Sequence, residues 1–168
     1  MSLHGDRVTL RPLRAGDLPR IVEILSEPEA ALWWGEADEE SLREDYLGES
    51  GDDRAFSVEL EGELIGIVAY WEENDPDYRH AGMDITLAAA HRGRGLGQDT
   101  LRTLARHLIS ERGHWRLTID PDAENARAIR SYEALGFRPV GIMRRVERRP
   151  DGEFRDGLLM DLLADELR

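Results

Sequence analysis

A strand-like run at residues 83–88 gives way, through Arg92-Gly93-Arg94-Gly95-Leu96-Gly97, to a helical run from Gln98 onward, and this succession limits the fold more than any other feature of the chain. Three glycines at alternate positions let backbone N–H groups crowd one point at a helix start, and two arginines add fixed positive charge there. Such a turn either cradles a phosphate or simply reverses the chain, so its surroundings decide.

Those surroundings read as one α/β domain over residues 1–168. Residues 7–10 alternate as a short strand, and Asp17 is placed to cap a helix carrying Leu18, Ile21, Val22, Ile24 and Leu25. A second helix is expected over 38–47, followed by a polar loop at 48–53. Strands at 55–60 and 64–71 flank a Glu61-Gly62-Glu63 turn as a hairpin. In the next strand Met83, Ile85 and Leu87 share one face and Asp84 and Thr86 the other. Leu101, Leu104, Leu108 and Ile109 form the apolar stripe of a helix ending near Gly113. A strand at 115–119 is closed by Asp120-Pro121, and a helix at 125–135 is stopped by Gly136. Two last strands near 137–146 and 154–163 flank the turn Pro150-Asp151-Gly152.

Composition removes several chemistries. Cysteine is absent, which excludes disulfides, thiolate metal sites and a cysteinyl intermediate. Lysine is absent too, which excludes Schiff-base catalysis and a P-loop lysine. The five histidines show no metal-ligand spacing, and no metal is expected. A net charge of −13 argues against nucleic acid as a partner. No apolar stretch is long enough for a membrane span and the first twenty residues are charged, so a soluble, cytoplasmic protein is expected. The charge is also divided: residues 23–84 hold 20 acidic and 3 basic side chains, whereas 85–149 hold 7 acidic and 13 basic ones. That division is either an acidic solubilising surface or a cation-attracting region beside one that receives a polyanion.

Individual residues carry paired readings. Asn125 and Tyr132, seven apart, share a helix face; Tyr132 is a half-buried aromatic or a phenol aimed at the glycine turn, and Asn125 a cap or a ligand contact. Asp84 is a solvent-facing carboxylate or one desolvated enough to act as a general base. Glu72, Glu73, Asp75 and Asp77 are a solvated loop cluster or a pocket for a polycation, and Trp33-Trp34 pack in the core or line a ligand wall. A Rossmann dinucleotide site fails in detail, because Gln98 stands where the third glycine belongs and only one such unit is present.

Taken together, Arg92-Gly93-Arg94-Gly95-Leu96-Gly97 and Asn125-Ala126-Arg127-Ala128-Ile129-Arg130-Ser131-Tyr132-Glu133-Ala134-Leu135-Gly136-Phe137 resemble the cofactor motif and the asparagine helix of the GNAT superfamily of acyl-CoA-dependent N-acetyltransferases. Within it, Trp33-Trp34-Gly35, Asn74-Asp75-Pro76, Gly82-Met83-Asp84 and Thr118-Ile119-Asp120-Pro121 are similar to aminoglycoside 6'-N-acetyltransferases, whereas residues 143–160 look more like other acyltransferases. The resemblance implies a mixed, mostly antiparallel central sheet of about seven strands flanked by about four helices. It implies acetyl-CoA as donor, bound by Ile85, Thr86, Leu87, by the whole of Arg92, Gly93, Arg94, Gly95, Leu96, Gly97 and Gln98, and by Asn125 and Tyr132. It further implies Asp84 as base, Tyr132 as acid, and Trp33, Trp34, Glu72, Asp75 and Asp84 around a small cationic amine. A monomer or homodimer is expected. A protein N-terminus or another metabolite amine is the alternative acceptor, and a non-catalytic acyl-CoA-binding module the alternative function.

Overall fold

Strand β4 (Glu63–Glu73) is buried without a break from Ile65 to Tyr70 in the computed structural model, which describes residues 1–48 and 54–168. A continuous buried run requires cover on both faces of the sheet. Ile67 enters one core, with Leu13, Leu18, Ile21, Leu25 and Leu42 from the segment holding helices α1 (Leu18–Leu25), α2 (Pro28–Trp34) and α3 (Glu39–Leu47). Its neighbour Val68 enters the other, with Leu101, Leu104 and Leu108 of α4 (Leu96–Ser110) and Leu135 of α5 (Ala126–Leu135). Each fully buried leucine of these stripes contributes about 1.5–3 kcal/mol by leaving water.

Among the described residues the sheet has eight strands in the order β1-β2-β3-β4-β5-β6-β8-β7. These are β1 (Leu3–His4), β2 (Val8–Pro12), β3 (Arg54–Leu60), β4, β5 (His80–Leu87), β6 (Arg116–Ile119), β7 (Arg138–Arg148) and β8 (Phe154–Leu163). Every neighbouring pair is antiparallel except β5–β6. The β3–β4 hairpin closes on Glu61 (φ 51°) and Gly62 (φ 83°), the succession of left-handed residues that matches strand twist.

The α/β class and the mostly antiparallel sheet are as expected, with eight strands for about seven and five α-helices for about four among the described residues. The additional strand, β1, has two residues, too few to show a period. The additional helix, α2, opens with Pro28, ends at Gly35 (φ 67°) and carries Trp33 and Trp34. Asp17 precedes α1 without capping it: its carboxylate takes Arg11 at 2.8 Å and the Ser57 hydroxyl at 2.9 Å. Past Gly48, the polar loop expected at 48–53 lies outside the described residues. No helix among the described residues is long and apolar enough to cross a membrane.

What positions the site is a failure of pairing. Strands β5 and β6 join only at Ala81–Leu117 and Gly82–Thr118, and beyond Gly82 they part. On its other side β5 stays laddered to β4 as far as Leu87. The sheet is therefore held together while a wedge opens within it.

Candidate active site

The wedge is a cavity of about 940 Å³, walled by β5, the glycine turn and start of α4, the end of β6 with α5, and α2. At one end Gly93 (φ 71°) and Gly95 (φ 77°) take left-handed conformations that only glycine adopts without strain. Helix α4 starts at Leu96, and its first bond to the turn is Asp99 N–H to the Gly95 carbonyl at 3.1 Å. The N–H groups of Leu96, Gly97 and Gln98 precede that bond and have no partner within the helix, as donors at a helix start that could receive an anion. Gly93, Gly95, Gly97 and Gln98 line the cavity, while the Leu96 side chain is fully buried in the core.

The arginines of the turn are placed otherwise than expected. Arg92 lines the cavity, but its Nε donates to the Leu87 carbonyl at 2.9 Å and its Nη1 to Glu29 of α2 at 2.6 Å. Arg94 is off the wall, with Nη1 3.3 Å from His91 Nδ1 and its carbonyl accepting from Arg7 at 2.6 Å. Local spacing put both near the helix start; the tertiary partners Glu29, Leu87 and Arg7 redirect them.

Asp84, Ile85, Thr86 and Leu87 line the wall where β5 has lost β6. The Asp84 carboxylate opens to the cleft, yet the cleft is sunk in protein. The lost hydration pushes its pKa up to about 6, helped by Asp120 and Glu147 and opposed by the Ile85 N–H, which donates to Oδ1 at 2.8 Å. Tyr132, two turns along α5 from Asn125, is half-buried against Phe137. Burial, then the charges of Asp84 and Asp120, raise its phenol above the ordinary range, so it stays protonated. Asn125 does cap α5, accepting the Ala128 N–H at 3.2 Å, and also lines the cavity.

The acidic acceptor region is corrected in its membership. Glu72 is not on the cavity wall: it stands with Tyr70 near the end of α4, its side chain 5% exposed and held by Arg112 (2.8 Å) and His114 (2.7 Å). The Arg112 guanidinium, seconded by His114, outweighs burial and holds Glu72 down to about 2. Asp75 is also off the wall, closing an exposed turn onto the Asp77 N–H at 2.9 Å. The carboxylates that do line the cavity are Glu29, Asp84, Asp120, Asp122 and Glu147. Burial raises Asp120 as well. The sequence reads Asp120 as the close of a strand and as part of Thr118-Ile119-Asp120-Pro121, not as a site residue; the missing signal is that this strand runs parallel beside β5, which brings its end opposite Asp84. Glu147 arrives from β7 through the pairing order β6-β8-β7, which no local pattern encodes.

Trp33 and Trp34 both line the cavity. Trp34 Nε1 donates to Thr86 Oγ1 at 3.0 Å, and the Trp33 ring lies under Arg149, 4.3 Å from its guanidinium. Among the described residues no group of histidines and acids is arranged to hold a metal. The geometry thus offers an anion cradle, an unpaired strand edge, one carboxylate with its pKa near neutrality, one protonated phenol and an acidic, aromatic end.

Known proteins resemble this chain in sequence and in fold. The acetyltransferase (GNAT) domain matches residues 7–138. The chain is 32% identical over 167 residues to an aminoglycoside N(6')-acetyltransferase type 1 of Klebsiella pneumoniae, covering 88% of this chain and 80% of that one. It is 27% identical over 164 residues to the spermidine N(1)-acetyltransferase of Escherichia coli K12, covering 95% and 86%. A spermidine N-acetyltransferase of Vibrio cholerae, solved in complex with CoA and spermine, superposes with a TM-score of 0.82 at 25% identity over 95% of this chain and 97% of that one.

Proposed function

The chain belongs to the GNAT family of acyl-CoA-dependent N-acetyltransferases, and from that premise we propose that it moves the acetyl group of acetyl-CoA directly onto a primary amine of a small polycationic acceptor, first an aminoglycoside at its 6'-amine. The observation that carries this reading is the set Asp84, Asp120 and Glu147, close enough to act on one another's charge and lining the same cavity as Trp33 and Trp34. Carboxylates at such density attract a ligand with several ammonium groups, and a flat aromatic wall suits the face of an amino sugar.

Acetyl-CoA supplies a thioester carbonyl for the amine to attack. The N–H groups at the start of α4 hold the diphosphate, and the free edge of β5 pairs with the amides of the pantetheine arm as an added strand. Asp84 takes a proton from the acceptor ammonium, because only the free amine has a lone pair. The Ile85 N–H, which Asp84 now engages, faces the developing oxyanion once that carboxylate turns to the ammonium. Tyr132 protonates the departing thiolate. Each proton transfer is worth about 10²–10⁴-fold in rate.

A polyamine is the second reading, favoured by the spermidine acetyltransferases among the relatives. The test is thiol release from acetyl-CoA with kanamycin, tobramycin, spermidine or spermine, using Tyr132→Phe as control. Release that requires an aminoglycoside and collapses in the variant supports the first reading. Release with spermidine or spermine alone moves the acceptor to the polyamines. No release with any of the four removes the polycation and turns attention to a protein N-terminus or another amine.

A further inference from the structure

The sheet consists of two halves with a narrow joint. Strands β1 to β5 form one half and β6, β8 and β7 the other, with β6 held to β8 by four residue pairs, Arg116 with Leu163 through Ile119 with Met160. Between the halves, among the described residues, only Ala81 pairs with Leu117 and Gly82 with Thr118. Asp84 belongs to the first half, whereas Asp120, directly after β6, and Glu147 of β7 belong to the second. The angle at the joint therefore sets how far apart these carboxylates stand across the cleft. Met83 from one half shares a core with Leu117 and Ile119 from the other, but apolar packing has no direction and does not fix an angle.

A directional tie crosses the joint at its closed end. Glu72 of β4 stands opposite Ala81 in the ladder, and its carboxylate is bonded to the connection between α4 and β6. There Arg112 grips both oxygens, Nε at 2.9 Å and Nη2 at 2.8 Å, and His114, three residues before Leu117, donates from Nε2 at 2.7 Å. The Glu72 side chain is 5% exposed and that of His114 fully buried. The other ring nitrogen of His114, Nδ1, is buried and meets no partner among the described residues, so Glu72 alone orients the ring. Tyr70 of β4, with His107 and Glu111 at the end of α4, couples by charge to this cluster. Desolvating a carboxylate here is costly, and the charge-assisted bonds that offset the cost define the geometry that core packing leaves open.

We propose that Glu72 is a positioning residue for acetyl transfer: through Arg112 and His114 it sets the angle between the two halves of the sheet, and with it the separation of Asp84 from Asp120 and Glu147. The inference rests on the acetyl-transfer reading above for its kinetic consequence only, since the geometry it asserts exists without turnover. Glu72 thus takes part in the reaction without touching either substrate.

The experiment compares wild type, E72Q and R112Q by NMR titration of the Asp84 carboxyl carbon, by CoA calorimetry and by the pH dependence of kcat/KM. The two variants remove opposite charges. Acting through space they shift Asp84 in opposite directions; acting through the joint, both let the repelling carboxylates separate and move Asp84 downward from about 6. The expected result is a fall of about half a pH unit in both variants, matched on the acid side of the kcat/KM profile, with kcat reduced about tenfold and CoA affinity within about twofold. Opposite shifts, or a rate lost with Asp84 unmoved, which marks a structural role, overturn the inference and leave the acetyl-transfer reading intact. The Arg112 side chain is 38% exposed, so R112Q decides alone where E72Q does not fold: Asp84 unmoved or raised in it overturns the inference. A wild type that transfers no acetyl group to any amine overturns the acetyl-transfer reading and the kinetic part of the inference, while the titration still decides the joint.

Discussion

The guanidinium of Arg149 lies over the indole of Trp33, 4.3 Å from the ring centroid, and so ties the end of β7 to helix α2 across the cavity. The same guanidinium reaches Asp122 at 3.3 Å, with both side chains nearly buried. Beside it Pro150 stands so close to Gly35 that a Cβ there would fall 2.8 Å from the proline ring. The β7–β8 turn and α2 therefore meet beside the aromatic part of the cavity lining, the end proposed for the acceptor.

Arg149→Ala removes that bridge. The ring contact is worth about 0.5–2 kcal/mol and the bond to Asp122 about 1.5–3 kcal/mol, Asp122 keeping its bond from the Glu124 N–H. The expected outcome is an acceptor KM raised about tenfold with CoA affinity unchanged within about twofold, as the Arg149 guanidinium engages Trp33 and Asp122. Steady-state kinetics varied in each substrate, with CoA calorimetry, check the split.

Tyr132→Phe keeps the ring packed on Phe137 and removes only the hydroxyl. A fall in kcat of about 10²–10⁴-fold at unchanged CoA affinity is expected if the phenol is the acid. An unchanged kcat in single-turnover assays removes Tyr132 from the mechanism.

Local pattern made the cavity's near walls legible. Alternation along β5 separated Asp84 from Met83 and Leu87; glycine spacing placed the turn at the start of α4; the seven-residue interval put Asn125 and Tyr132 on one face. Each is a relation within one element. The misplacements are relations between elements. Glu72 looked available because nothing nearby in sequence announces Arg112 and His114, forty and forty-two residues away. Arg92 looked free because Glu29 sits in a seven-residue helix too short to show a period. Asp120 and Glu147 reach the site only through the parallel β5–β6 pairing and the β6-β8-β7 order, which depend on the assembled sheet.

Asp99 governs stability rather than catalysis. Its side chain accepts the N–H groups of Asp6 (3.0 Å), Arg7 (2.8 Å) and Val8 (3.0 Å), pinning the start of β2 to α4. Burial alone raises its pKa, but the three donors outweigh burial and the net shift is downward. Its stabilisation is therefore complete above the unfolded carboxylate value of about 3.9 and is lost as pH falls below it through the folded value. Asp99→Asn sets an amide against those donors and is expected to cost about 3 kcal/mol near neutral pH. Chemical denaturation at neutral pH and in acid checks this: the gap between wild type and variant narrows on acidification.

The sharpest prediction concerns the pH dependence of kcat/KM. Desolvation in the cleft, with Asp120 and Glu147 nearby, brings Asp84 to about 6, and a general base works only when ionised. Activity is therefore expected to rise with pH through about 6 and to fall as pH drops below it, while the acceptor ammonium titrates on the alkaline side. Glu147→Gln removes one of the negative neighbours that disfavour ionisation, so the acid limb moves to lower pH. Asp84→Asn is expected to abolish the limb and lower kcat/KM about 10²-fold or more. Because Asp84 and Asp120 face the same space, the limb reports the pair unless a variant separates them. A limb that persists at the same pH in Asp84→Asn and disappears in Asp120→Asn moves the base from β5 to the end of β6, leaving the acid Tyr132 and the anion cradle where they are.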